Sequence, residues 1–171
     1  MVKKENRSFA VIINFLLLFL FSIFHQTQIF SIKIYQANPL ISLALLISLS
    51  MFSSELFTAV CGLFCGLILD SGFTASSCFN TLTFIAVGMF CALISHYLFN
   101  KGIKSAVALC FIGSFVYFLI KWIVFYTFSS DIDNSLFYLL KIALPSTVYT
   151  TVFSIPFYFL EKALYKKSEN Y

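Results

Sequence analysis

Residues 62–70 read Gly62-Leu63-Phe64-Cys65-Gly66-Leu67-Ile68-Leu69-Asp70, an apolar run with two glycines four apart and an aspartate four further on. With Ala59, the residues Gly62, Gly66 and Asp70 follow at spacings of 3, 4 and 4, which places all four on one face of a helix. The rest of the turn is large and apolar, so the segment presents a narrow, small-residue face and a broad greasy one. In water such a helix would need a core to cover it. In lipid only the small face needs a partner, because close backbone approach rather than hydrophobic force drives helix association there. The reading depends on which solvent the chain inhabits.

Composition answers that. Of 171 residues 60% are hydrophobic and only 11% charged, with a mean hydropathy of +0.94. Soluble domains carry about 25% charged residues, so this chain cannot clothe a water-facing surface. Apolar runs recur along its length, and six spans of about 20 residues would use about 120 positions. The remainder suffices for two tails and five connections. No soluble domain, active-site lid or nucleic-acid module fits. The expected fold is all-α: one polytopic membrane domain of six transmembrane helices over residues 1–171, at about 8–24, 39–52, 56–70, 79–99, 103–128 and 136–160.

The charges orient it. Lys3, Lys4, Arg7, Lys101, Lys104, Lys162, Lys166 and Lys167 fall on one side of this topology; Lys33 and Lys141 fall on the other, with Asp131 and Asp133, and Lys121 lies inside a span. The positive-inside rule then puts both termini in the cytoplasm, which an even number of spans satisfies. The basic start followed by 8–24 is not a signal peptide, since His25-Gln26-Thr27-Gln28 offers no small-residue cleavage site.

Within the spans, several features stand out. The connection 25–38 alternates apolar and polar at Phe30, Ile32 and Ile34 and is expected to lie extended at the membrane surface. Asn38-Pro39 is a helix-start signal, an amide cap followed by proline. The second span is short: fourteen residues cover about 21 Å against a hydrocarbon core of about 30 Å. It is viable where protein covers its ends. Asp70 and Lys121 are counted to similar depths on two outward-running helices. An Asp70–Lys121 ion pair joining the third and fifth spans is therefore expected, with separate solvation of each group as the alternative. The last span carries Pro145 and Pro156 on one face and Thr147, Thr151 and Ser154 on another. It is read either as a kinked, partner-facing helix or as ordinary hydroxyl packing. The Gly62–Gly66 face has the same two readings, a contact within the bundle or one against a partner.

The five cysteines show no paired spacing and no histidine at metal-ligand distance; those inside spans act as small hydrophobes. His25 and His96 fall at opposite membrane boundaries. No Ser/His/Asp set, HExxH, paired carboxylates at one depth or phosphate-binding glycine loop occurs. Neither an enzyme nor a cofactor or metal site is expected.

The order of these features resembles the MreD family of bacterial rod shape-determining membrane proteins. The resemblance rests on Asn38-Pro39, on Gly62-Leu-Phe-Cys-Gly66-Leu-Ile-Leu-Asp70, similar to the family's GxxxGxxxD stretch, and on Leu144-Pro145-Ser146-Thr147-Val148-Tyr149 before a basic tail. Leu40 stands where the family often has Asp or Asn, and Cys78 where it often has glycine. The resemblance implies a non-enzymatic scaffold of the cell-elongation machinery in the bacterial cytoplasmic (inner) membrane. It would bind MreC and, indirectly, MreB, RodA and a class B penicillin-binding protein, in support of lateral peptidoglycan synthesis and rod shape. A homodimer is compatible with it. Helix packing or partner binding would fall to Gly62, Gly66, Asp70, Lys121, Pro145, Thr147 and Thr151.

The family also looks like the S components of energy-coupling-factor vitamin transporters, so the alternative is a substrate-binding transporter subunit. S components dock through small-xxx-small motifs on their first span, whereas Phe15-Leu-Leu-Leu-Phe-Leu-Phe21 is bulky throughout. A channel or exporter would need a polar pore lining that these spans lack.

Overall fold

The helix Ile41–Ser50, α2, is ten residues of Leu, Ile, Ala and Ser with no apolar stripe, because every side is apolar. A helix hydrophobic all round must be covered all round. In the computed structural model every residue from Ser42 to Ser50 is buried. The five other helices surround it and all pack against it. They are α1 (Val2–Gln26), α3 (Glu55–Asp70), α4 (Phe79–Tyr97), α5 (Ile103–Tyr126) and α6 (Leu144–Glu169), the last entered through a π-helical turn at Leu139–Ala143. The structure describes residues 2–26, 39–72, 78–97, 102–126 and 139–169. Among them there is no strand.

Packing around α2 relies on glycines facing its branched side chains. A Cβ on Gly88 of α4 would sit 3.2 Å from Leu46 Cδ2, and one on Gly113 of α5 only 2.8 Å from Ile47 Cδ1. Of the α2 hydroxyls, that of Ser42 is buried without a hydrogen-bond partner, and the other two are satisfied locally. Ser48 donates to Ala44 O at 2.8 Å and Ser50 to Ile47 O at 2.7 Å, so neither is left bare in an apolar interior. One bond fixes the entry to α2: the Leu40 N–H donates to Thr150 Oγ1 of α6 at 3.2 Å.

The outer helices each offer one inward stripe. On α1 it is Asn14, Leu18 and Ser22; on α3 it is Thr58, Cys61, Gly62, Cys65, Gly66 and Leu69. Their other faces carry Leu16, Phe19, Leu63, Phe64 and Leu67 away from the bundle. Among the described residues, three helices are long and apolar enough to cross a membrane: Phe79–Tyr97, Ile103–Phe125 and Lys141–Tyr165.

Several expected boundaries shift. The second helix starts at Ile41 rather than at position 39, and it has no side-chain cap; Asn38 lies outside the described residues. At about 15 Å it is shorter than the hydrocarbon core is thick, and the helices around it cover it along its length. The last helix runs through to Glu169, past the expected end at 160. Its proline explains the π-helical turn. In an unbroken α-helix the Pro145 ring would meet the Lys141 carbonyl, and the wider turn just before it relieves that clash. The expected extended segment falls mostly on 27–38, and the loops 73–77 and 129–134 likewise lie outside the described residues.

Because α2 is fully enclosed, Leu46→Ala is expected to cost about 2–5 kcal/mol. Leu56→Ala, on a side chain 78% exposed, should change stability by less than about 0.5 kcal/mol. Thermal unfolding of both variants in the same detergent measures the difference.

Candidate functional site: the junction of the third and fourth helices

The glycine face of α3 is turned onto α4. A Cβ on Gly62 would sit 2.8 Å from the Phe84 carbonyl oxygen. One on Gly66 would run into Thr81 Cα, with Thr81 N at 2.7 Å and Asn80 O at 2.9 Å. Those neighbours are backbone atoms, which cannot swing aside. The glycines therefore set the distance of the crossing, and they do so inside the bundle.

That distance puts Asp70 against the start of α4. One carboxylate oxygen accepts the Asn80 N–H at 3.0 Å; the other accepts the Thr81 N–H at 2.8 Å and the Thr81 hydroxyl at 2.6 Å. The first turn of any helix leaves N–H groups without intrahelical partners, and an anion there also meets the positive end of the helix dipole. Asp70 sits at the last residue of α3, where the dipole has the wrong sign for it. The N-terminus of α4 offsets that penalty. The Gly62, Gly66 and Asp70 spacing thus works as one clamp, with two glycines bringing α4 close and a carboxylate holding its end.

The seam continues on both sides. Asn80 Oδ1 accepts the Tyr117 hydroxyl of α5 at 2.6 Å. At the end of α3, the Gln26 amide of α1, oriented to satisfy both partners, accepts the Gly72 N–H at 2.8 Å and donates to Leu69 O at 3.3 Å. A side chain at Gly72 would collide with that amide. Four helices are tied at this end.

Entry to α4 passes through Cys78, whose φ of 67° lies in the left-handed region. Only glycine enters that region without steric cost.

The expected Asp70–Lys121 ion pair is not formed; the carboxylate is bonded to α4 instead. Lys121 is half-buried on α5, near the His25 imidazole of α1. On α6, Thr147 is buried and Thr151 half-buried, and each donates to its own helix, to Leu144 O and Thr147 O, both at 2.7 Å. Pro145 is half-buried and Pro156 exposed. Thr150, not predicted from sequence, reaches beyond its helix: its hydroxyl accepts from Leu40 while donating to Ser146 O at 2.7 Å.

Asn80, Tyr117, Asn14 and Glu161 are interior polar residues that carry no expectation from sequence. The last two are fully buried and joined, Asn14 Nδ2 donating to Glu161 Oε2 at 2.9 Å. The isolated asparagine in an otherwise apolar first run was the available signal. His96 Nε2 lies 3.2 Å from Ser53 O, at the α2–α3 turn. All five cysteines are unpaired, and only Cys78 is exposed. Among the described residues no three His, Cys, Asp or Glu side chains cluster as metal ligands.

Asp70→Ala orphans two N–H groups and is expected to cost about 1–3 kcal/mol, and Gly66→Ala about 1–3 kcal/mol through overpacking. Since the two act on the same helix end, a double-mutant cycle should show coupling of about 0.5 kcal/mol or more. Cys78→Gly should go the other way, gaining about 1 kcal/mol by relieving the left-handed backbone. Denaturant unfolding in mild detergent reads all three.

A model of the family described as rod shape-determining protein MreD matches residues 6–168, nearly the whole chain. No curated protein sequence and no solved structure matches it. The match takes in the clamp of α3 on α4, the buried α2 and the proline-entered α6, and on it the chain belongs to the MreD family.

Proposed function

We propose that the protein is a non-enzymatic scaffold of the cell-elongation machinery, a six-span protein of the bacterial cytoplasmic membrane with both termini in the cytoplasm. It binds an MreC-like membrane protein and, through it, MreB, RodA and a class B penicillin-binding protein. The family match over residues 6–168 carries the reading.

The disposition of the polar groups supports it. Asp70, Asn80, Thr81, Tyr117 and Thr150 form hydrogen bonds between helices. The outward faces of α1, α3 and α6 are left apolar, with Ile12, Leu16, Leu67, Val152 and Phe159 among the most exposed side chains. Such a surface suits contact with other membrane helices and with lipid. Gly62, Gly66 and Asp70 act on that surface indirectly, by fixing α4 against α3, and Pro145, Thr147 and Thr151 shape α6 in the same way.

The test is affinity purification of the tagged full-length chain from a rod-shaped bacterium's membranes in mild detergent, with mass spectrometry of what accompanies it. An MreC-like protein together with a RodA-type synthase is the expected recovery. An energy-coupling ATPase with its transmembrane partner, or a bound vitamin, would overturn the proposal in favour of a transporter subunit.

A further inference from the structure

The Asn14–Glu161 contact joins α1 to α6 by one hydrogen bond, with both side chains fully buried. Each keeps one oxygen outside that bond, Asn14 Oδ1 and Glu161 Oε1, and both are buried without a hydrogen-bond partner. Buried polar atoms are almost always paired, so two orphans on two side chains already in contact call for one explanation. An amide and a carboxyl are both planar two-armed groups. With Nδ2 on Oε2, the arms left over are Oδ1 and Oε1. Both are acceptors if the carboxyl is ionised, and they repel. A proton on Oε1 turns that arm into a donor to Oδ1 and satisfies both atoms at once.

We propose that Glu161 is held in the bundle as the neutral carboxylic acid, closing a two-bond acid–amide ring with Asn14 that locks α1 to α6. The bound species is a proton, independent of what the protein binds outside the bundle. The surroundings favour this over an ionised carboxylate. Residues 8–24 of α1 and all of α2 contain no ionisable side chain. On α3 the titratable neighbour is Cys61, itself unable to supply positive charge. On α6 the adjacent Lys162 is exposed, its ammonium lying over the Tyr158 ring at 5.8 Å. A hard cation in place of the proton would need about six oxygen ligands, and this pair offers two.

The test is infrared spectroscopy of the full-length protein in lipid nanodiscs at neutral pH, with and without carbon-13 glutamate. The expected result is a carbonyl band of a protonated acid that shifts with the label and is absent from Glu161→Gln. Glu5, Glu55 and Glu169 are the other glutamates, and that variant leaves them in place. Carboxylate bands alone would overturn the proposal. Unfolding temperatures provide a second reading. Glu161→Gln keeps both arms, an amide N–H replacing the acid O–H, and should unfold at the wild-type temperature, whereas Glu161→Ala and Asn14→Leu should fall by several degrees. A Glu161→Gln protein as unstable as Glu161→Ala, or a wild type stabilised by sodium over a bulky organic cation, would also overturn it, the latter in favour of an ionised cation site.

Discussion

The bundle depends on a helix that lipid cannot accommodate. At about 15 Å, α2 is half as long as the hydrocarbon core is thick, so exposing it would leave its terminal backbone groups in oil. Hydrogen-bonding groups without partners cost several kcal/mol each in that environment. The five other helices are arranged as its solvent. They supply glycines where its branched side chains protrude, at Gly88 and Gly113, and a hydroxyl where its backbone begins, at Thr150.

Against that centre, the α3–α4 junction is where geometry is set most tightly. Glycine against backbone leaves no slack: a methyl group at Gly66 has nowhere to go but into Thr81. The charge at Asp70 then gains three donors from groups that α4 would otherwise leave unpaired. Close approach and capping reinforce one another, since the carboxylate reaches only if the helices touch. Membership of a rod shape-determining family is consistent with a molecule whose polar chemistry goes into holding its own shape.

How much of this could be read from the sequence follows from which forces are local. Composition and run lengths gave an all-helical chain, because apolar length is a local property, while the helix ends shifted by up to nine residues where packing extends them, as at Glu169. The spacing of Gly62, Gly66 and Asp70 gave a single helical face for the same reason. What that face meets was not legible. Depth arithmetic pairs Asp70 with Lys121, a cation deep inside a span, yet two of the three donors it finds are backbone N–H groups of α4, which no side-chain pattern announces. On α6 the stripe Thr147, Thr151, Ser154 misses Thr150 by one position. Glu161 was hidden differently. It directly precedes Lys162 and reads as the edge of a basic tail, while the helix continues and buries it against Asn14.

The dependence of α2 on α6 also bears on how the chain is made. A helix that can stand alone in a bilayer partitions there as it is synthesised, and association with its neighbours follows. The α2 segment has no such option, since Leu40 is anchored by Thr150, 110 residues later. Until the last helix emerges, α2 has neither that anchor nor that cover. Assembly is therefore set by the slowest and most distant partner, and a ribosome stalled before residue 144 would release a chain whose most apolar helix is still looking for its place.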